Sequence, residues 1–380
     1  MKNQLVSVLI SFFTSIICWS QEPATPSSIL FADKNATLET KLLLQQLNKS
    51  KEQGFVFGHQ DDLAYGVHWK YEKRRSDVKE TAGDYPGIYG WDIAGIEKDA
   101  EKNIDGVPFD KMKAYIIQSN KRGGITTISW HLDNPMTGKN AWDITPNSLQ
   151  SILEGGQNHE KFKSWLDKAA AFFLSLKDKK NKQIPVIFRP YHELTGTWFW
   201  WCQNSATPEE FTKIWKFTAD YLQQKGVHNL LYAYSTADFN TKEDFLKYYP
   251  GDAYVDILGF DKYEYSDPQK DNSFIENCQK QFKIINEVAQ EHQKLIAFTE
   301  TGYEQVPYSN WWTDSLIKAI GTYKIAYVLL WRNHGFNKDM TPPHMHYYAP
   351  YKGQTSAEDF KKFYKLPETF FEKDVKKNFK

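Results

Sequence analysis

The sequence carries no excess charge of either sign. Lys+Arg and Asp+Glu each number 47 in 380 residues, so no bulk field draws the chain to nucleic acid or to an anionic membrane surface. Cysteine is scarce: there are three, one of them Cys18 near the N-terminus, and the fold cannot rest on a disulfide framework. For Cys202 and Cys278 two readings stay open, a disulfide in an oxidising compartment or two buried free thiols. No internal repeat, low-complexity tract or Pro/Ser/Thr-rich linker divides the chain, so one domain is expected over residues 21–380. Past the N-terminal region no segment is long and apolar enough to span a bilayer. Residues 1–3 include a lysine, residues 5–17 form an apolar run too short for a membrane span, and Ser20 precedes Gln21. Residues 1–20 are therefore expected to be a signal peptide, with export to the periplasm or the medium. The competing reading is a lipid anchor on Cys18, for which Ile17 and Trp19 are poor neighbours.

Aromatic rings are abundant. They make up 16% of the chain, with 13 Trp and 22 Tyr, and apolar residues at 41% suffice for a large core. Trp is costly to bury unless its indole N–H finds a partner. Such an excess suits either an aromatic core or a cleft that stacks on the flat faces of sugar rings.

Short apolar runs alternate with amphipathic stretches. Strands are predicted at 55–58, 88–93, 125–130, 185–188, 230–234, 257–260, 295–298 and 325–330. Helices are predicted at 37–53, 109–121, 159–176, 207–224, 274–291, 311–320 and 357–364. Continuously apolar strands are buried on both faces, as in a parallel sheet covered by helices. Eight such units in succession predict an α/β fold of the (β/α)8 TIM-barrel type. A doubly wound open sheet is the alternative, but the first strand leads into Gly58-His59-Gln60-Asp61-Asp62, not a Gly-rich phosphate loop.

Active sites of such barrels lie at the C-terminal ends of the strands. Those ends carry His59, Asp92, Trp130-His131, Arg189 to Glu193, Asp238, Asp261 with Tyr263, Glu300, and Trp331 to His334. Nearly every one presents an ionisable or aromatic group. Glu193 and Glu300 are the two glutamates that directly follow apolar strands, the fourth and the seventh. Cleavage of a glycosidic bond needs two flanking carboxyl groups, one protonated and one ionised. Across the barrel mouth this pair is expected at the roughly 5–5.5 Å of a retaining enzyme, Glu300 attacking and Glu193 supplying the proton. The bland alternatives are an ion pair of Glu193 with Arg189 and an exposed loop position for Glu300. Tyr263 and His192 are placed to donate hydrogen bonds to Glu300. The run Trp198-Phe199-Trp200-Trp201 is expected as a sugar platform at the mouth, while Trp331 is balanced between platform and barrel lining.

Several segments together resemble glycoside hydrolase family 26: Phe57 to Gln60, Trp130-His131, Arg189 to Glu193 with Thr195 to Trp201, Phe298 to Gly302, and Leu330 to Asn333. They occur in order from the first strand to the eighth and span nearly the whole chain after residue 20. The block around Glu193 is the most specific. The resemblance implies a (β/α)8 barrel and a retaining double displacement on β-1,4-mannan, galactomannan or glucomannan. It implies Glu193 as acid/base, Glu300 as nucleophile, and His192 and Tyr263 as residues that position the nucleophile. His131 would contact the sugar at the cleavage subsite, Trp198 would stack on the leaving-group side, and Trp331 would underlie the cleaved sugar. Arg332 and Asn333 would reach the next glycone-side sugar. Cys202 and the His344-Met345-His346 loop match nothing in the family pattern.

No cofactor is called for, and a monomer acting on polysaccharide or manno-oligosaccharides is expected. A metal centre built from His59, His131, His192 and His334 is a rival, weakened because the first strand offers one histidine, not a close pair. His344 and His346 have ligand-like spacing but sit in a polar, Pro-rich loop, where solvation is the commoner fate. A barrel that binds sugar without cutting it would lack one of the two carboxylates. A β-1,3-xylanase or a mixed-linkage glucanase stays open, as does the choice between internal cleavage and release of disaccharides from an end.

Overall fold

The computed structural model describes residues 31–379; the signal-peptide segment and Cys18 lie outside them. Eight parallel strands close on themselves: β1 Phe55–Gln60, β2 Ile88–Asp92, β3 Ile125–Trp130, β4 Val186–Pro190, β5 Leu230–Thr236, β6 Ile257–Glu264, β7 Leu295–Tyr303 and β8 Tyr327–Leu330. Closure is made by β8 against β1, Val56 opposite Tyr327 through His59 opposite Leu330. The (β/α)8 barrel expected from the alternation is thus the fold.

Alternate side chains of each strand face opposite ways. One set, Val56, Ile88, Ile125, Ile187, Leu231, Ile257, Leu295 and Tyr327, packs as a single buried cluster within the barrel. The other set, including Phe57, Trp91, Ile128, Phe188, Tyr232 and Phe298, packs against the surrounding helices. The inner cluster also takes in Leu43, Leu44 and Leu47 of the helix Leu38–Ser50, together with Phe370 and Val375. The N-terminal helix and the C-terminal segment therefore stopper the lower end. Helix limits follow local chemistry. Thr37 caps the first helix, Gly123 at φ +110° ends Phe109–Arg122, and a Thr207/Glu210 capping box opens Pro208–Gln224.

Predicted elements correspond closely, and two strands extend well beyond their predicted upper ends. β6 and β7 run on to Glu264 and Tyr303, several residues past their apolar cores, because neighbouring strands supply the hydrogen bonds there. The helix predicted over 311–320 begins as a π-helical turn, Trp312–Leu316. Short elements without a periodic signal went unpredicted: the helix Asp77–Ala82, the C-terminal helix Glu372–Asn378, and a hairpin pairing Gly335–Asn337 with His344–His346. Cys202 and Cys278 are both buried and free.

Candidate active site

Two backbone irregularities aim the key side chains. Along β7, Ala297 faces inward and Phe298 outward, so strict alternation would turn Glu300 toward the helices. A β-bulge intervenes: Phe260 pairs with Phe298 but Asp261 pairs with Glu300, leaving Thr299 as the extra residue. The bulge puts Glu300 back on the inner face beside Asp261. At the end of β4 the chain turns through left-handed backbone at Tyr191 (φ +49°) and Glu193 (φ +56°), rare for side-chain-bearing residues. Glu193 is held there by its N–H, which donates to the Ser235 carbonyl at 3.0 Å.

The two glutamates meet over the mouth. One carboxylate oxygen each from Glu193, Asp261 and Glu300 lies within 4.8 Å of the others. Glu300 is buried and both its oxygens are engaged: Tyr263 Oη donates to Oε1 at 2.5 Å and Arg189 Nη2 to Oε2 at 2.5 Å. Arg189 Nη1 donates to Asp261 at 2.5 Å, and Ser235 supports Asp261 from the other side at 2.8 Å. Arg189 is thus not the ion-pair partner of Glu193; it serves the opposite wall. Burial pushes the Asp261 carboxyl up to about 7 despite that arginine. Glu193 accepts one hydrogen bond, from Trp198 Nε1 at 2.6 Å. Burial, then the negative charges of Asp261 and Glu300, raise its pKa well above the ordinary carboxyl range. Two carboxyl groups stand close together, one gripped by a cation and a phenol, the other driven to hold a proton.

His131 and His192 form a second pair, Nε2 to Nε2 at 3.1 Å. Asp92 bonds His131 Nδ1 at 2.7 Å; although burial opposes it, this carboxylate raises the His131 pKa. Burial, with Arg189 and His131 adding like charge, holds His192 well below the ordinary histidine value. With its proton on Nδ1 facing Asp92, His131 donates to His192 from Nε2 when its ring is charged and accepts there when it is neutral. His192 makes no hydrogen bond to Glu300: one ring nitrogen faces His131 and the other has no partner. Of the two donors expected for Glu300, Tyr263 is in place and His192 is not.

The tryptophan run divides. Trp198 is 40% exposed at the cleft, but Trp200 and Trp201 are fully buried, correcting the expectation of a three-ring platform. Their indole N–H groups reach the Leu132 carbonyl at 3.1 Å and the His192 carbonyl at 2.9 Å, which removes the penalty of burial. Trp331 is half-buried at the mouth, its ring 6.4 Å from that of His131, and Arg332 lies beside it, ion-paired to Asp105. Asn333 does not reach the cleft, contrary to expectation. It is buried, donating to Asp77 and the Ala349 carbonyl and accepting from the N–H groups of Tyr348 and Ala349. One ring escaped the sequence reading: Trp142, 48% exposed, stacks on His131 at 5.5 Å and 14°. It comes from a long loop, where no periodicity marks a site. The four strand-end histidines do not converge, since His59 pairs with Asp62 and His334 lies against Tyr65.

The profile of glycosyl hydrolase family 26 matches residues 32–345. A mannan endo-1,4-beta-mannosidase of Bifidobacterium adolescentis is 33% identical over 358 residues, covering 89% of this chain; the chain spans 35% of that protein's length. One from Bacillus subtilis is 28% identical over 79% of this chain and 81% of its own. Among solved structures, a GH26 beta-mannanase from Bacteroides ovatus aligns with TM-score 0.83 at 44% identity, over 88% of this chain and 95% of that one. A modular endo-beta-1,4-mannanase from Cellulomonas fimi aligns with TM-score 0.80 at 30% identity, over 91% and 78%.

Proposed function

The chain belongs to glycosyl hydrolase family 26, and from that premise we propose that it is a retaining endo-β-1,4-mannanase with Glu300 as nucleophile and Glu193 as acid/base. The observation that carries the assignment is the Glu193–Glu300 spacing, within 4.8 Å between oxygens. Retaining enzymes hold their carboxyl groups about 5–5.5 Å apart, whereas inverting ones need roughly 6.5–9.5 Å to admit a water. Glu300 attacks the anomeric carbon while Glu193 gives its proton to the departing oxygen. Glu193, then ionised, takes a proton from the water that releases the glycosyl-enzyme. Tyr263 and Arg189 hold the attacking carboxylate in line. His131 contacts the sugar at the cleavage subsite, His192 supports it from behind, Trp198 stacks on the leaving-group side, and Trp331 underlies the cleaved sugar. Arg332 extends the glycone side.

β-Mannan and manno-oligosaccharides are the proposed substrates, and the endo-acting mannosidases at 33% and 28% identity favour internal cleavage. Residues 1–20 are proposed to direct export of a monomer to the periplasm or medium. Among the described residues no helix is long and apolar enough to cross a membrane.

The deciding experiment compares Glu193→Gln and Glu300→Gln on mannan and on an aryl mannoside with an activated leaving group. On mannan both should lose activity by orders of magnitude. On the activated substrate, which needs no proton to depart, Glu193→Gln should retain the first step and accumulate a glycosyl-enzyme, while Glu300→Gln stays inactive. Equal loss on both substrates in both variants would remove the division of roles.

A further inference from the structure

The hairpin after β8 carries chemistry that the cleft does not use. Side chains alternate along a strand, so His344 and His346 project from one face of His344–His346. Opposite them stands Glu304, the first residue beyond β7. His344 Nε2 lies 2.9 Å and His346 Nδ1 2.8 Å from the same oxygen, Glu304 Oε1. The three donor atoms fall within 4.8 Å of one another. The backbone fixes this meeting, because the Gln305 N–H donates to the Tyr347 carbonyl at 2.7 Å.

His344 Nδ1 sits 2.7 Å from the Pro342 carbonyl, which can only accept, so that nitrogen holds the proton. With Nε2 also protonated, His344 and Glu304 form a hydrogen-bonded ion pair; with Nε2 deprotonated, its lone pair faces Glu304 Oε1 and a cation can take the place of the proton. His346 aims a second nitrogen at that same oxygen. A backbone carbonyl on the remote nitrogen is also what sets the tautomer of metal-ligating histidines.

We infer that Glu304, His344 and His346 bind a Zn2+ ion through two imidazoles and one carboxylate, with solvent completing the tetrahedron. Nitrogen-rich borderline donors favour zinc over calcium or magnesium, which seek oxygen. Ligand atoms around Zn2+ at about 2.0–2.1 Å stand roughly 3.3 Å apart, so the two contacts to Glu304 Oε1 open by about 0.5 Å on binding. His344 and Glu304 are half-exposed and free to make that adjustment. The ion acts as a clamp. It joins the end of β7 to the hairpin, and His346 packs on Tyr348 (5.2 Å), which packs on Tyr263 (5.4 Å). The site stands whether or not the substrate assignment does.

The test uses the untagged full chain, stripped with chelator, dialysed against micromolar Zn2+, and analysed for bound metal and melting temperature. One zinc per chain and a raised melting temperature are expected. Glu304→Gln and His344→Ala should each weaken uptake by at least about tenfold and abolish the thermal shift, while Glu300→Gln keeps both. No uptake, or uptake indifferent to Glu304→Gln and His344→Ala, overturns the inference. Uptake lost in Glu300→Gln but kept in His344→Ala would place the ion between the catalytic carboxylates and overturn it equally.

Discussion

A carboxyl group that keeps its proton near neutral pH is bought with stability, and Glu193 lets that cost be measured. Burial and the neighbouring Asp261 and Glu300 raise its pKa. The folded state then binds a proton that the unfolded chain has released, so its contribution is full below the ordinary carboxyl value and is lost as pH rises through the folded value. Glu193→Gln cannot ionise and its amide oxygen can still accept from Trp198. Its melting temperature, relative to wild type, should therefore climb with pH across that window. A constant difference would mean that Glu193 is not held protonated. The same raised pKa sets the alkaline limb of activity, since an acid must be protonated to act. Tyr263→Phe removes a hydrogen bond to a carboxylate, worth about 1.5–3 kcal/mol, and should lower kcat about ten- to hundredfold with little change in fold, read by kinetics beside circular dichroism.

At the scale of elements, the apolar strand cores and the helix caps were legible, because periodicity and end signals are local. The Thr207 cap is one such signal, and Thr207→Ala should cost about 1 kcal/mol in denaturant unfolding without touching activity. What lies at the strand ends was legible as chemistry but not as geometry. That Glu300 faces the cleft depends on the bulge at Thr299, a register shift between two strands that no single segment encodes. The tryptophan run misled because a loop of indoles looks exposed until distant carbonyls, of Leu132 and His192, take up the N–H groups. Asn333 misled for the related reason that its partners, Asp77 and residues 348–349, lie far off in sequence. Replacing it orphans several buried groups at once. Asn333→Ala should lose about 3 kcal/mol or more of stability, a loss that chemical denaturation would measure.

For the whole molecule, the barrel is stoppered from below by both ends of the described chain, and the C-terminal part is the more exposed to test. Phe370, Phe371 and Val375 are buried, and Glu372 receives Arg122 at 2.7 Å. Deleting residues 369–380 should leave an aggregating chain, judged by size-exclusion chromatography; a monodisperse, active product would show that the lower plug is dispensable. If cleavage is internal as proposed, a time course on linear mannan should give a ladder of sizes before short products accumulate. The bulge at Thr299 ties Glu300 to the strand backbone beside Asp261. Because a hydrogen-bonded ring of strands is stiff, Glu300 stands on a fixed wall, and the gap it leaves to Glu193 depends on the length of its side chain. Trimming one methylene, as in Glu300→Asp, widens that gap where no strand can shift to close it, and the stereochemistry of the product becomes a ruler for the scaffold.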